Sequence, residues 1–146
     1  KYIHPNIAIR LLKVNTEYDC DIKEFNIKDS VDIIFNYIIE NNYDVVGISC
    51  YIWNIELIKS LLLHLKDKNI TIILGGPEVS FNAKYYLDNN LCNYVIKNEG
   101  EEAFDLLLKY LDGKNTLDTI PNLYYKDGFL HAYKPSFCLK NRQARL

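Results

Sequence analysis

The sequence has no methionine and one tryptophan, and its four cysteines and three histidines are few and scattered. Cys20, Cys50, Cys92 and Cys138 form no Cys-x-x-Cys pair, and no histidine stands at metal-ligand spacing from them. Neither a zinc site nor a disulfide framework is expected, and the cysteine usage fits a reducing, cytoplasmic setting. No apolar run reaches the roughly 18 residues of a membrane span, and no stretch reads as a signal peptide. Positive charge is not in excess. The 17 Lys and Arg against 19 Asp and Glu give a net charge of −2, so nucleic acid is not the expected partner. Also missing are a Gly-x-Gly-x-x-Gly fingerprint, a Walker lysine loop, a Ser-His-Asp order, a buried carboxylate pair and an activated cysteine. These absences leave an autonomous enzyme without support.

What is present is a core. Hydrophobic residues make up 49% of the 146 and charged residues 25%, the balance of one ordinary globular domain. Strand and helix patterns alternate along it. Residues 5–14 predict a helix with Pro5 in its first turn, and residues 20–27 alternate like an edge strand. A helix over 31–40 follows an Asp29-Ser30 cap. Residues 45–49 are apolar and β-branched, as in a buried central strand. A helix over 54–66 is capped by Asn54, and residues 70–74 predict another buried strand. A helix over 80–89, a strand over 94–97 and a helix over 101–111 complete the series. Gly113 ends the last helix. Beyond it, residues 122–133 read as a β-hairpin with an Asp127-Gly128 turn, and residues 134–146 carry no period. The division expected is an α/β domain over 1–113 and a hairpin with linker over 114–146.

Alternating strands and helices imply a three-layer α/β domain, flavodoxin-like or Rossmann-like, with a mostly parallel five-stranded sheet. The fifth strand is expected immediately ahead of Lys1, because residues 1–5 read as a loop entering a helix. In such sheets the ligand lies at the carboxyl ends of the strands. Three loops fall there. Gly47-Ile48-Ser49-Cys50-Tyr51 closes one strand. Gly75-Gly76-Pro77-Glu78 closes the next, with Gly75 twenty-six positions after Ser49. Asn98-Glu99-Gly100-Glu101 precedes the last helix. Ser49 offers a hydroxyl, Tyr51 and Trp53 an aromatic wall, and the paired glycines a close approach to backbone. The acidic third loop disfavours a phosphate cradle. His4 falls in the first loop on the same edge. His64 lies mid-helix and His131 in the hairpin, so the histidines make no metal triad.

The Ser49-x-Tyr51 and Gly75-Gly76 pair resembles the cobalamin-binding domain, which carries Asp-x-His-x-x-Gly, then Ser-x-Leu, then Gly-Gly at a similar separation. Glu99-Gly100-Glu101 and the opening Lys1-Tyr2-Ile3-His4-Pro5-Asn6 resemble the subgroup fused to radical S-adenosylmethionine enzymes, including magnesium-protoporphyrin monomethyl ester cyclase-like proteins. The similarity covers roughly Lys1 to Leu111. It implies cobalamin as cofactor, with tail-binding roles for Ser49, Gly75 and Gly76, flanked by Tyr51, Pro77, Glu99 and Gly100. His4 has Tyr2 where the family has Asp and Ile7 where it has Gly, and Tyr51 replaces the Leu. The broken histidine motif implies base-off, histidine-off binding, with no protein imidazole on cobalt. The cluster-binding cysteine motif is absent, so S-adenosylmethionine and a 4Fe-4S cluster are expected only in a radical domain beyond Leu146. The partners expected are the corrinoid and that radical domain. A degenerate flavodoxin-like regulatory or interaction domain without ligand is the alternative from another class. A nucleotide-binding enzyme fragment is a third, disfavoured by the acidic loop.

Overall fold

A computed structural model describes residues 7–26, 28–127 and 130–133. The sheet runs β1 (Val45–Ser49), β2 (Thr71–Gly75), β3 (Tyr94–Ile96), β4 (Leu123–Asp127), β5 (Leu130–Tyr133), in that spatial order. The first three strands are parallel, and β4 joins β3 antiparallel, as β5 does β4. Around the sheet lie α1 (Ile7–Val14), α2 (Val31–Glu40), α3 (Ile55–Leu65), α4 (Pro77–Ser80), α5 (Ala83–Asp88) and α6 (Glu101–Leu111). No helix among the described residues is long and apolar enough to cross a membrane.

Strand side chains alternate between faces, and the two cores divide by that parity. Val46, Ile48, Ile72, Leu74, Val95 and Tyr124 meet α2 to α5 on one face. Val45, Ile73, Tyr94, Ile96 and Leu123 meet α6 on the other, where α1 also packs against α6. Polar bonds fasten this second layer: Thr16 Oγ1 donates to Asp105 Oδ1 at 2.8 Å, and Tyr18 Oη to Asp112 Oδ2 at 2.8 Å. Ser30 caps α2, its Oγ accepting from the Ile33 amide. Gly113 takes φ 76° just past α6, as a helix-terminating glycine does.

Several expectations are corrected. Residues 20–26 form no strand; they run without regular structure. The backbones of Cys20, Ile22 and Phe25 find no hydrogen-bond partner among the described residues. Side chains hold the run instead: Tyr43 Oη donates to Asp21 Oδ2 at 2.7 Å, and Phe25 meets Tyr37 edge-on. Period-two alternation marks an extended chain with one buried face, but a strand needs a neighbouring ladder. β1 is less buried than expected. It is half-buried, and only β2 pairs with it among the described residues. The helix expected over 80–89 is present as the shorter α5, and the separate turn α4 precedes it. Within α4, Ser80 Oγ donates to the Gly76 carbonyl at 2.9 Å, and α5 begins at Ala83. Lys1 to Asn6, with His4 and Pro5, Gly128 of the expected turn, and residues 134–146 lie outside the described residues.

Candidate functional site

The carboxyl end of β1 is built by one asparagine. Asn54 was expected to cap α3, and it holds the N-cap position, yet its side chain turns back. Its Oδ1 accepts from the Tyr51 amide at 2.7 Å, and its Nδ2 donates to the Ser49 carbonyl at 3.0 Å. The turn is thereby clamped at both ends, and Cys50 is driven inside with no exposed surface. Burial, aided by the nearby Glu78 charge, pushes the Cys50 thiol up to about 12. It stays protonated at neutral pH and is a poor nucleophile.

The two glycines of the second loop have different jobs. A Cβ on Gly76, at φ 102°, would stand 2.4 Å from the Cys50 carbonyl oxygen and 2.9 Å from its nitrogen. Gly76 is glycine because the β1 turn crosses directly over it, a reason internal to the protein. A Cβ on Gly75 would meet nothing closer than the Ile96 carbonyl at 3.9 Å. Gly75 is Ser49's partner in register, so the twenty-six-residue separation places the two side by side. Gly47, two residues earlier on the same face, would meet only the Phe104 ring, at 3.7 Å. Gly47, Ser49 and Gly75 thus form a patch of sheet nearly free of side chains.

Above that patch opens a cleft of about 1170 Å³ between the sheet edge, α1 and the start of α6. Ser49, Tyr51, Gly75, Gly76, Pro77, Glu99 and Gly100, all expected from sequence, line it together. The third loop turns at Asn98, whose φ of 60° is one asparagine tolerates. Gly100 lies against Ile96 and Leu12, where a Cβ would come within 3.3 and 3.5 Å. Ser49 Oγ has no hydrogen-bond partner among the described residues. Sequence reasoning missed Gly47 and Phe104. Gly47 was findable as the residue two before Ser49 on the same strand face, whereas Phe104 arrives from α6 and carries no local signal.

A second cleft of about 660 Å³ lies along the outer edge of β1, walled by Asp21 and residues 23–26. Tyr51 lines both clefts and Trp53 only the smaller one. Their rings stack with centroids 4.6 Å apart and planes within 3°. His4 lies outside the described residues, so its place relative to the cleft is not described. His64 belongs to α3, where Nδ1 meets the Ser60 carbonyl at 2.8 Å, and it lines neither cleft. Among the described residues no group of three His, Cys, Asp or Glu side chains gathers as a metal site.

A flat heteroaromatic group fits this arrangement on three counts. The cleft floor lacks side chains at Gly47 and Gly75, Ser49 offers a hydroxyl with no partner among the described residues, and Tyr51 supplies an aromatic wall.

Comparison with known proteins agrees with the geometry. The family model described as B12 binding domain matches residues 1–108. The chain is similar in fold to the cobalamin-dependent S-adenosylmethionine radical enzyme OxsB with aqua-cobalamin and S-adenosylmethionine bound. The TM-score is 0.65 at 18% identity, over 75% of this chain and 16% of that one. It is also similar to the radical S-adenosylmethionine methyltransferase TsrM from Kitasatospora setae, with tryptophan substrate and an S-adenosylmethionine analogue bound. There the TM-score is 0.56 at 17% identity, over 74% of this chain and 22% of that one. The chain therefore spans about a fifth or less of these larger proteins. No curated relative matches it.

Proposed function

This chain belongs to the B12-binding domain family, and we propose that it binds a corrinoid base-off and histidine-off. On this reading it is the cobalamin module of a larger cobalamin-dependent radical S-adenosylmethionine enzyme. It holds and orients the cofactor and does not catalyse alone. The observation that carries the reading is the register pairing of Ser49 with Gly75 beneath an open cleft. Gly47 and Gly75 would leave room on the sheet for the nucleotide tail. Ser49 Oγ would hydrogen-bond a polar atom of the tail, and the Tyr51 ring would pack against its flank. Gly76 and Pro77 shape the rim from one side, Glu99 and Gly100 from the other. When bound, the corrinoid supplies a redox-active cobalt centre for group transfer.

Histidine-off binding is supported by the broken motif around His4, which lacks the aspartate that would orient an imidazole. Residues 1–113 form the binding unit on this reading, and residues 114–146 lead toward a radical domain that carries S-adenosylmethionine and a 4Fe-4S cluster. A cytoplasmic setting fits the scattered, unpaired cysteine usage of the sequence.

The test is a titration of the chain with hydroxocobalamin, followed by its visible spectrum at neutral pH. Saturable binding with a base-off spectrum is expected. A histidine-on spectrum would keep the ligand and overturn the account of His4. An unchanged spectrum with no saturation would sink the corrinoid reading in favour of a degenerate interaction domain.

A further inference from the structure

We infer that Trp53 is a positioning residue of the cleft: it fixes the Tyr51 ring as a wall and acts on a bound corrinoid only through that ring. The inference rests on the corrinoid reading above and deepens it.

Trp53 is 65% exposed, and so is its neighbour Ile52, at 75%. Large apolar side chains this open gain little from the hydrophobic effect, so core packing does not explain the tryptophan. Its described ring partner is Tyr51, in a near-parallel stack. Tyr51 forms the partition between the two clefts, and Trp53 stands behind it, on the side of the smaller cleft only. The backbone beneath is already rigid, because Asn54 holds the Tyr51 amide and the Ser49 carbonyl. What Asn54 leaves free is the tyrosine side chain. An unbacked Tyr51 ring could rotate into either cleft, and a ligand would have to arrest it at an entropic cost. Stacking on Trp53 settles that orientation before the ligand arrives. An offset or parallel aromatic contact of this kind is worth enough to bias a rotamer, though not enough to hold a fold.

The measurement is a double-mutant cycle in the full 146-residue chain, with hydroxocobalamin affinity as readout and the thermal midpoint as control. Trp53→Ala is expected to weaken binding roughly two- to tenfold, the range of one aromatic pair, while the midpoint stays close to wild type. Trp53→Phe restores most of the affinity, because a ring remains to stack. In the Tyr51→Ala background, Trp53→Ala has no further effect, since nothing is left to position. Equal affinity in Trp53→Ala and wild type would overturn the inference and leave the corrinoid reading standing. So would additive losses in the double variant, which would mean that Trp53 touches the ligand itself. Failure of the wild-type chain to bind hydroxocobalamin would overturn both. If Trp53→Ala loses its fold, the same cycle with Trp53→Phe and Trp53→Leu decides, with Leu expected to behave as the loss and Phe as the rescue.

Discussion

β1 and β2 are adjacent, parallel and equally long, yet they live differently. In β2, Ile72, Ile73 and Leu74 are all buried, sandwiched between helices on both faces. In β1 no residue is fully buried, and Gly47 is exposed. The neighbours explain the contrast. β2 lies between two strands, whereas β1 borders the cleft along its face and has an outer edge that no described residue pairs. The fully buried strand residues lie in β2 to β4, and the small residues at the ends of β1 and β2 leave the cleft floor open. The boundary between the two regimes falls between Leu74 and Gly75, one peptide bond apart.

That boundary can be broken from the stable side first. Leu74→Ala removes a side chain with no exposed surface and should cost about 2–5 kcal/mol in denaturant unfolding. A cost well under 1 kcal/mol would show that β2 does not carry the core.

Gly76→Ala comes next, because it strikes the point where the two loops cross. The added Cβ collides with the Cys50 backbone at a positive φ, so a loss of about 1–3 kcal/mol is expected from strain. A neutral Gly76→Ala would mean that the β1 turn yields easily.

Asn54→Ala should be milder, about 1 kcal/mol for the lost clamp bonds, with a disproportionate loss of hydroxocobalamin affinity as Ser49 and Tyr51 loosen. Equal losses in stability and affinity would reduce Asn54 to a structural role.

The thiols sharpen the contrast without mutation. Burial pushes Cys92, like Cys50, up to about 12, whereas Cys20 is half-exposed and raised less. At pH 8, alkylation should reach Cys20 in the native chain and Cys50 and Cys92 only on unfolding. In the unfolded chain these thiols ionise near 9.0, while the native state keeps them protonated. The unfolded state then binds fewer protons, so stability holds below pH 9 and falls as pH rises from 9 toward 12. A flat unfolding midpoint over that window would contradict the burial of both.

The sequence made much of this legible. Amphipathic period and capping chemistry predict α2 and α6 at the bounds they take, and the apolar run of β1 likewise. The separation of Ser49 from Gly75 is the length of one strand-helix-strand unit, and so it encoded their contact. What stayed hidden depends on neighbours. The run at 20–26 alternates like a strand, but pairing is a property of two segments. Pro77–Ser80 forms its own turn ahead of α5, and Asn54 turns its amide back to the loop. Neither choice shows in propensity. In the site, Gly75 and Gly76 look alike as letters. Only the crossing of Cys50 over Gly76 reveals that one glycine serves the fold and the other leaves the cleft floor open.

The most direct test of the central claim is Gly75→Val, measured for hydroxocobalamin affinity and for unfolding in parallel. Gly75 has ordinary strand geometry, and its Cβ would point into open space bounded at 3.9 Å. The expected result is a stable fold, shifted by no more than about 1 kcal/mol as for a tolerated strand substitution, in a chain that no longer binds the corrinoid. Wild-type affinity in a folded Gly75→Val chain would contradict the account, because the ligand would then lie elsewhere than on the floor between Ser49 and Gly75.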